Sequence, residues 1–168
     1  MELYIKNKIF SLRGSSTVND ENGNPHYFVK GKVFSLRRKK QVQNAEGKLL
    51  YGVQNRFFNL FLHAAYITDA NGQKILRVRR KFSLVHRSFT VEGFGGDQYR
   101  IDGDFFGFDF LIYRNNLPVG GVHKKFFALT DQYILNADKA EDMAFLVALV
   151  VAIDNIKDKE QQDANNND

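Results

Sequence analysis

The chain has 168 residues, a length that fits one domain. It contains 16 Phe and 7 Tyr but only two Pro, a composition typical of packed, extended strands. Cysteine is absent, which excludes a disulfide framework, a thiolate metal site and a cysteine nucleophile. That absence, and a first segment without the basic and apolar regions of a secretory signal, predict a cytoplasmic protein.

The formal net charge is +5, and residues 157–168 hold two lysines against four acids. The basic charge therefore lies in the folded body and favours anionic partners.

A basic-then-aromatic phrase recurs along the chain and divides it into units. It reads IKNKIFSL at residues 5–12 and VKGKVFSL at residues 29–36, and it returns in related form at 53–60, 78–84 and 122–129. The first four copies begin 24, 24 and 25 residues apart. A unit of this length is too short for a strand, a crossover helix and a second strand, which together take about 30 residues. The strands are therefore predicted to be antiparallel neighbours.

Turn-forming residues separate these copies. The segments 20–25, 45–48 and 69–72 each contain Gly, and the first and third also contain Asp and Asn, residues that suit the tight turns of β-hairpins. The pattern predicts a meander of about ten to twelve strands. An open sheet of that size would twist strongly and expose two edges, and closure into a barrel removes both. The predicted fold class is mainly β, a closed antiparallel β-barrel.

A single helix is predicted at about residues 138–157. Asp138 followed by Glu141 resembles a capping box, and eleven consecutive apolar residues follow from Met143 to Ile153. As a helix this run spans about 16 Å, roughly half of a bilayer core, and acids flank it closely. It has no polar face, so it cannot lie on a surface. The sequence therefore predicts a helix enclosed by the barrel, with residues 1–157 as one domain and 158–168 as a disordered polar tail.

The arrangement of basic-aromatic strands and a lone apolar C-terminal helix resembles the LURP-one-related family of the tubby C-terminal-like superfamily. The phrases that carry the resemblance are 29–36, 99–105 (YRIDGDF), 122–127 (VHKKFF) and 144–153. One hairpin turn differs, because Asn115 to Pro118 has no Gly where the family usually has one. The resemblance implies a twelve-stranded barrel around a central helix. It also implies kinship with tubby proteins, which bind phosphoinositides, and with phospholipid scramblases at membranes.

The sequence contains no constellation that names a reaction, a cofactor or a metal. The four histidines, His26, His63, His86 and His123, are scattered one per region. The segment 93–96 (GFGG) lacks the spacing and the Lys-Ser/Thr ending of a phosphate-binding loop. Asp102 and Asp104 with Asp109 are a candidate cation site, and the same residues also suit a strand boundary. The prediction is a protein that is not an enzyme and carries no cofactor.

Two basic clusters are the candidate binding residues, one at 37–40 and one at 77–81. If both clusters face one rim of the barrel, they form an anion site that can bind lipid phosphates. The predicted anion-binding residues are Arg37, Arg38, Lys39, Lys40, Arg79 and Lys81. The competing interpretation is a solvated outer face that resists aggregation.

Three functional hypotheses follow from the pattern. The first is a module that recognises anionic phospholipid at a membrane, and the second is a protein-interaction or scaffold domain without lipid affinity, whose partner is an acidic protein. The third, an enzyme or small-ligand carrier, requires a cavity with converging polar groups. Nucleic acid is a less favoured anionic partner. Its bases would stack on exposed aromatic rings such as Phe57, Phe58 and Tyr99.

Overall fold

The computed structural model describes residues 1–6, 15–31, 39–56, 64–81, 88–104, 107–125, 132–138 and 141–165. Twelve strands and one helix lie in these ranges. The strands are β1 (Glu2–Lys6), β2 (Ser16–Asn19), β3 (Pro25–Gly31), β4 (Lys40–Asn44), β5 (Leu49–Asn55), β6 (Ala64–Thr68), β7 (Lys74–Lys81), β8 (Ser88–Gly93), β9 (Tyr99–Asp104), β10 (Asp109–Arg114), β11 (Leu117–Lys125) and β12 (Gln132–Ala137). The helix α1 covers Met143–Asn165.

The strands form one closed antiparallel barrel in chain order. Each strand pairs with its neighbours along the sequence, and β1 closes the sheet by pairing with β12 from Glu2 opposite Asn136 to Lys6 opposite Gln132. Closure leaves no unpaired sheet edge in the barrel. The predicted fold class, a closed antiparallel barrel of about twelve strands, is confirmed.

The hairpin turns use a repeated side-chain device. The Asp20 carboxylate accepts hydrogen bonds from the backbone N–H groups of Asn22 (2.9 Å) and Asn24 (2.8 Å). The Asp69 carboxylate likewise accepts hydrogen bonds from the backbone N–H groups of Asn71 (3.0 Å) and Gln73 (2.8 Å). The turn without Gly is closed by Asn115 and Asn116, whose φ angles of 51° and 66° are left-handed. Asn tolerates this conformation better than other non-glycine residues, so a hairpin forms there without Gly.

Helix α1 fills the barrel. Every residue from Leu146 to Ile153 is at most 1% exposed, as is Ile156. These side chains share one core with the inward-facing residues of the strands. Among the largest of those inward-facing side chains are Leu3, Ile5, Ile67, Ile101, Phe110, Ile112 and Leu135. The predicted central helix is therefore confirmed, and its apolar character on all sides follows from contact with strands on all sides.

The ends of α1 differ from the sequence prediction. The helix begins at Met143, and its cap is Asp142, whose Oδ1 accepts a hydrogen bond from the Phe145 N–H at 3.0 Å. Asp138 instead lies in the preceding turn, where its carbonyl accepts the Glu141 N–H at 3.1 Å. At the other end the helix continues to Asn165 through most of the segment that was predicted to be disordered. An i,i+4 ion pair, Lys159 to Asp163 at 2.9 Å, supports this extension.

The up-and-down topology gives the barrel two unlike rims. We call the rim where odd-numbered strands end and even-numbered strands begin the loop rim, and the opposite one the turn rim. Helix α1 starts at the turn rim, where Asp142 contacts Tyr51 near the start of β5. It reaches the loop rim at Asp154 and Asn155, which contact Lys40, the first residue of β4, and Asn55, the last residue of β5. Within the described ranges, no helix combines the length and apolar character needed to cross a bilayer.

Replacing Val150 with Asp tests the enclosure of α1. Val150 is 1% exposed, and an unpaired carboxylate at such a site costs several kcal/mol, against a total stability of about 5–15 kcal/mol for a domain. We expect Val150→Asp to show no cooperative thermal unfolding by circular dichroism. Asn165→Asp places the same group on the exposed end of the same helix and is expected to change stability by less than about 0.5 kcal/mol. A Val150→Asp protein as stable as the wild type would contradict the enclosed position.

Candidate anion-binding rim

Basic residues collect at the loop rim because of the strand topology. The basic-then-aromatic phrases all begin in odd-numbered strands, which run in the same direction and therefore end at the same rim. Among the described residues, the lysines and arginines within two positions of a strand end at this rim are Lys6, Lys30, Lys39, Lys40, Arg56, Arg79, Arg80, Lys81, Lys124 and Lys125. Within the same two positions, the acids of the described strands are Asp102, Asp104 and Asp109.

The turn rim has the opposite sign. The described acids in its turns and at the start of α1 are Asp20, Glu21, Glu46, Asp69, Asp97, Asp138, Glu141 and Asp142. Fewer basic residues lie there, and the Arg114 guanidinium is engaged by Glu141 at 2.8 Å. The strands and turns of the barrel are therefore electrically polar along its axis, with one basic and one acidic end, and the end of α1 adds Asp154, Asp158, Glu160 and Asp163 with Lys157 and Lys159 at the basic end.

The described members of the two predicted basic clusters lie at the loop rim. Lys39 and Lys40 stand at the start of β4, and Arg79 and Lys81 stand at the end of β7, so the topology brings their backbones to one end of the barrel. Lys39 is exposed, and the Arg79 side chain is 45% exposed and lies 3.3 Å from Glu92. The two remaining members of the predicted set, Arg37 and Arg38, lie outside the described residues.

Lys40 is the exception in the set. Its side chain is 4% exposed, and its Nζ lies 3.1 Å from Oδ2 of Asp154, which is 1% exposed. The ammonium therefore points into the barrel and ties β4 to α1. Because it is buried, Lys40 does not belong to the exposed basic surface.

Burial dominates the electrostatics of this pair. Desolvation, and to a lesser degree the neighbouring Asp158, raise the pKa of Asp154 to about 7 in spite of the attraction of Lys40. A buried ion pair of this kind contributes little net stability, but the loss of one partner leaves an uncompensated charge in the core. Beside it, Asn55 donates from Nδ2 to the carbonyl of Asn155 at 3.1 Å. The loop-rim end of the barrel interior is thus polar, unlike the apolar middle.

The structure adds residues that the sequence prediction missed. Lys30 and Arg56 are exposed at the ends of β3 and β5, and Lys124 is half-buried at the end of β11. Each belongs to a copy of the recurring phrase, so the repeat contained the signal. It could have been used by assigning every copy to the same rim, a step that follows once an up-and-down barrel is assumed.

A pocket of about 240 Å³ opens at the turn rim. Tyr51, Tyr99 and Phe145 line it, and the Tyr51 hydroxyl donates to Asp142 at 2.5 Å. Burial and this hydrogen bond raise the pKa of Tyr51, so its phenol stays protonated. Tyr99 packs against Phe145 with ring centroids 5.2 Å apart. The ring of Tyr99 is thus part of the pocket wall at this rim.

Tyr99 was one of three aromatic residues considered for base stacking. The other two, Phe57 and Phe58, lie outside the described residues.

The acids considered as a cation site have other partners. Asp102 pairs with the Arg100 guanidinium, and Asp109 lies 2.6 Å from Nδ1 of His123 on the next strand. In the described part of the chain, no group of three or more His, Asp or Glu side chains is arranged to hold a metal ion.

Comparison with known proteins identifies the family. The sequence profile of the LURP-one-related family matches residues 1–154, a range that contains all twelve strands and most of the buried part of α1. This chain belongs to the LURP-one-related family. The fold is also similar to that of a protein from Arabidopsis thaliana solved by X-ray crystallography, with a TM-score of 0.65, 20% sequence identity, and coverage of 93% of this chain and 90% of that chain. At that identity the likeness shows the fold alone. A search of curated proteins finds no match.

A double-mutant cycle tests the Lys40–Asp154 pair of this LURP-one-related barrel. At pH 9, above the raised pKa of Asp154, Lys40→Met alone leaves the Asp154 carboxyl buried without its cation and is expected to cost about 3–5 kcal/mol of unfolding free energy, and less at neutral pH, where the carboxyl takes up a proton. Adding Asp154→Leu removes the stranded charge and should recover most of that loss, as measured by urea denaturation. Lys48→Met, at an exposed position of the turn rim, is the control and should change little. Equal destabilisation in the single and double variants would show that the two groups do not interact.

The pH dependence of stability provides an independent check of Asp154. The pKa of Asp154 is about 7 in the folded state and 3.8 in its usual environment. Between pH 3.8 and pH 7, the native state therefore retains a proton on this carboxyl that the unfolded chain has lost. The stabilisation from this carboxyl is fully present below about pH 4 and is lost as the pH rises through about 7. We expect the melting temperature of the wild type, relative to Asp154→Asn, to fall over this interval. A constant difference from pH 4 to 7 would contradict the raised pKa.

Proposed function

We propose that this LURP-one-related domain is a cytoplasmic, non-enzymatic binding module that docks its loop rim on an acidic phospholipid surface. The exposed basic residues of that rim make the contact. Lys39, Arg56, Lys30 and Arg79 are the described side chains best placed for it, and Lys81 and the predicted Arg37 and Arg38 extend the same set.

The axial separation of charge is the observation that carries this proposal. A basic body alone is common among proteins and says little about partners. Here the lysines and arginines are concentrated at one end of the barrel, and the opposite end is acidic. A molecule with this distribution is oriented by an anionic surface before contact, because the surface attracts one end and repels the other.

The expected energies are sufficient for reversible binding. A basic residue close to an acidic leaflet contributes about 1 kcal/mol, and several such residues act together at one rim. Arg79 contributes less than a free arginine, because it forms an ion pair with Glu92 at 3.3 Å. Binding of this kind weakens with salt, since the Debye length falls from about 10 Å at 0.1 M to about 3 Å at 1 M.

The packing of the barrel supports a role on the exterior and a function other than catalysis. Side chains of α1 occupy the space that other barrels use for a ligand. Four of the described buried polar residues lie at the end of the helix, where Lys40 donates to Asp154 and Asn55 donates to the carbonyl of Asn155. Recognition therefore falls to the outer surface.

Sedimentation with acidic vesicles tests the proposal. We expect the wild type to bind vesicles of phosphatidylcholine with one third phosphatidylserine at 50 mM salt and to lose binding at 500 mM. Lys39→Glu with Arg56→Glu should weaken binding at least tenfold, because about 1 kcal/mol per basic residue is lost and repulsion is added. Lys48→Glu with Lys74→Glu makes the same change in net charge at the turn rim and should have much less effect.

Three outcomes would contradict the proposal. The wild type could fail to bind at low salt, the two double variants could weaken binding equally, or binding could survive 500 mM salt. Capture of an acidic protein by the wild type at high salt, without vesicle binding, would instead favour the scaffold function. Binding to a DNA or RNA oligonucleotide but not to vesicles would assign the basic rim to nucleic acid.

A further inference from the structure

The C-terminal end of α1 carries acids to the basic rim. Ile156 is fully buried, residues 157–160 are half-buried, and Asn165 is exposed, so the helix leaves the barrel along this stretch. We call residues 158–165 the terminal segment. At a rise of 1.5 Å per residue it extends about 12 Å from the last buried turn. Its acids are Asp158, Glu160 and Asp163, and its one basic residue is Lys159.

The contacts of the preceding turn fix where the terminal segment emerges. Asp154 is bonded to Lys40 at the start of β4. The Lys157 ammonium lies 4.6 Å from the centroid of the Phe108 ring, just before β10, and is within electrostatic reach of Lys124 on β11 and Asp104 on β9. These residues come from several sides of the loop rim. The terminal segment therefore leaves the barrel within the ring of strand ends that carries the basic residues.

We propose that the terminal segment is an intramolecular competitor for the anionic partner of the loop rim. Its carboxylates lower the positive potential of the rim, and an incoming acidic surface has to displace or outweigh them. This inference rests on the proposed function, and it adds that the affinity of the domain is restrained by its own C-terminus. A change that removes negative charge from the terminal segment would raise affinity without altering the barrel.

The charge pattern of the segment fits this role better than that of a simple helix extension. Lys159 is already paired with Asp163 within the helix at 2.9 Å, so the only cation of the segment is internally neutralised. The excess charge of the segment is therefore negative, directly beside a rim of the opposite sign. At the turn rim the same acids would have no basic ring to oppose.

The experiment compares two pairs of substitutions that change net charge equally. Glu160→Gln with Asp163→Asn removes two acids from the terminal segment, and Glu21→Gln with Glu46→Gln removes two exposed acids from the turn rim. Dissociation constants are measured with vesicles containing one third phosphatidylserine at 100 mM salt. We expect the terminal-segment pair to bind about three- to tenfold more tightly than the wild type, and the turn-rim pair to change by less than about twofold.

Each result decides a different point. Equal tightening in both pairs would show an effect of net charge and would overturn the competition, as would an unchanged constant for the terminal-segment pair when the wild type binds. Absence of binding in every protein would overturn the proposed function, and the competition with it. Binding by the terminal-segment pair alone would support both.

Thermal unfolding verifies that each variant is folded. Asn165→Asp, which adds an acid at the exposed end, gives a second reading and should weaken binding; tighter binding or no change would count against the competition.

Discussion

A helix that is apolar on every side can exist in water only if it is enclosed, and this constraint determines the rest of the molecule. The core of α1 needs contact around its whole circumference, which one sheet face cannot provide. A closed barrel provides it, with alternate residues of every strand pointing inward. Each inward Val, Leu or Ile then gains about 1.5–3 kcal/mol of burial that an open sheet would not give it. The helix and the barrel are therefore mutually dependent, because a barrel of this size without the helix would contain an apolar void.

The strand topology turns a linear repeat into a ring of charge. In an up-and-down barrel, sequence features that recur every two strands must all reach the same rim. The recurring phrase puts apolar residues such as Val29 and Val53 inward and basic residues such as Lys30 and Arg56 at the strand end. Asp-rich turns, as at Asp20 and Asp69, occupy the other rim, where their carboxylates close the hairpins. Charge separation thus follows from requirements that are local in sequence, namely turn formation at one end and the phrase at the other.

The sequence was sufficient where the physical signal was local. The eleven-residue apolar run and the Asp-Asn-Gly turns each indicate one structure, and both were predicted. The capping residue was predicted wrongly because Asp138, with Glu141 three residues on, matches the capping-box pattern, and Asp142, with Phe145 three residues on, does not. Asp142 prevails because its carboxylate also accepts from Tyr51, a contact across 91 residues. Lys40 was counted among surface cations for a similar reason. Its partner Asp154 is 114 residues away, and nothing near Lys40 in the sequence indicates that its side chain points inward.

The polar contacts at both ends of α1 solve a problem that its apolar surface creates. A uniformly apolar helix inside an apolar barrel can adopt many rotations and axial positions of similar energy, since hydrophobic contact is not directional. At the loop rim, Lys40 engages Asp154 and Asn55 engages the Asn155 carbonyl, and at the turn rim Tyr51 engages Asp142. Hydrogen bonds are directional, and a shift of one residue along the helix would leave a buried charge or amide unpaired at a cost of several kcal/mol. The buried ion pair, which adds little net stability, therefore fixes the position of the helix, and with it the exit point of the terminal segment.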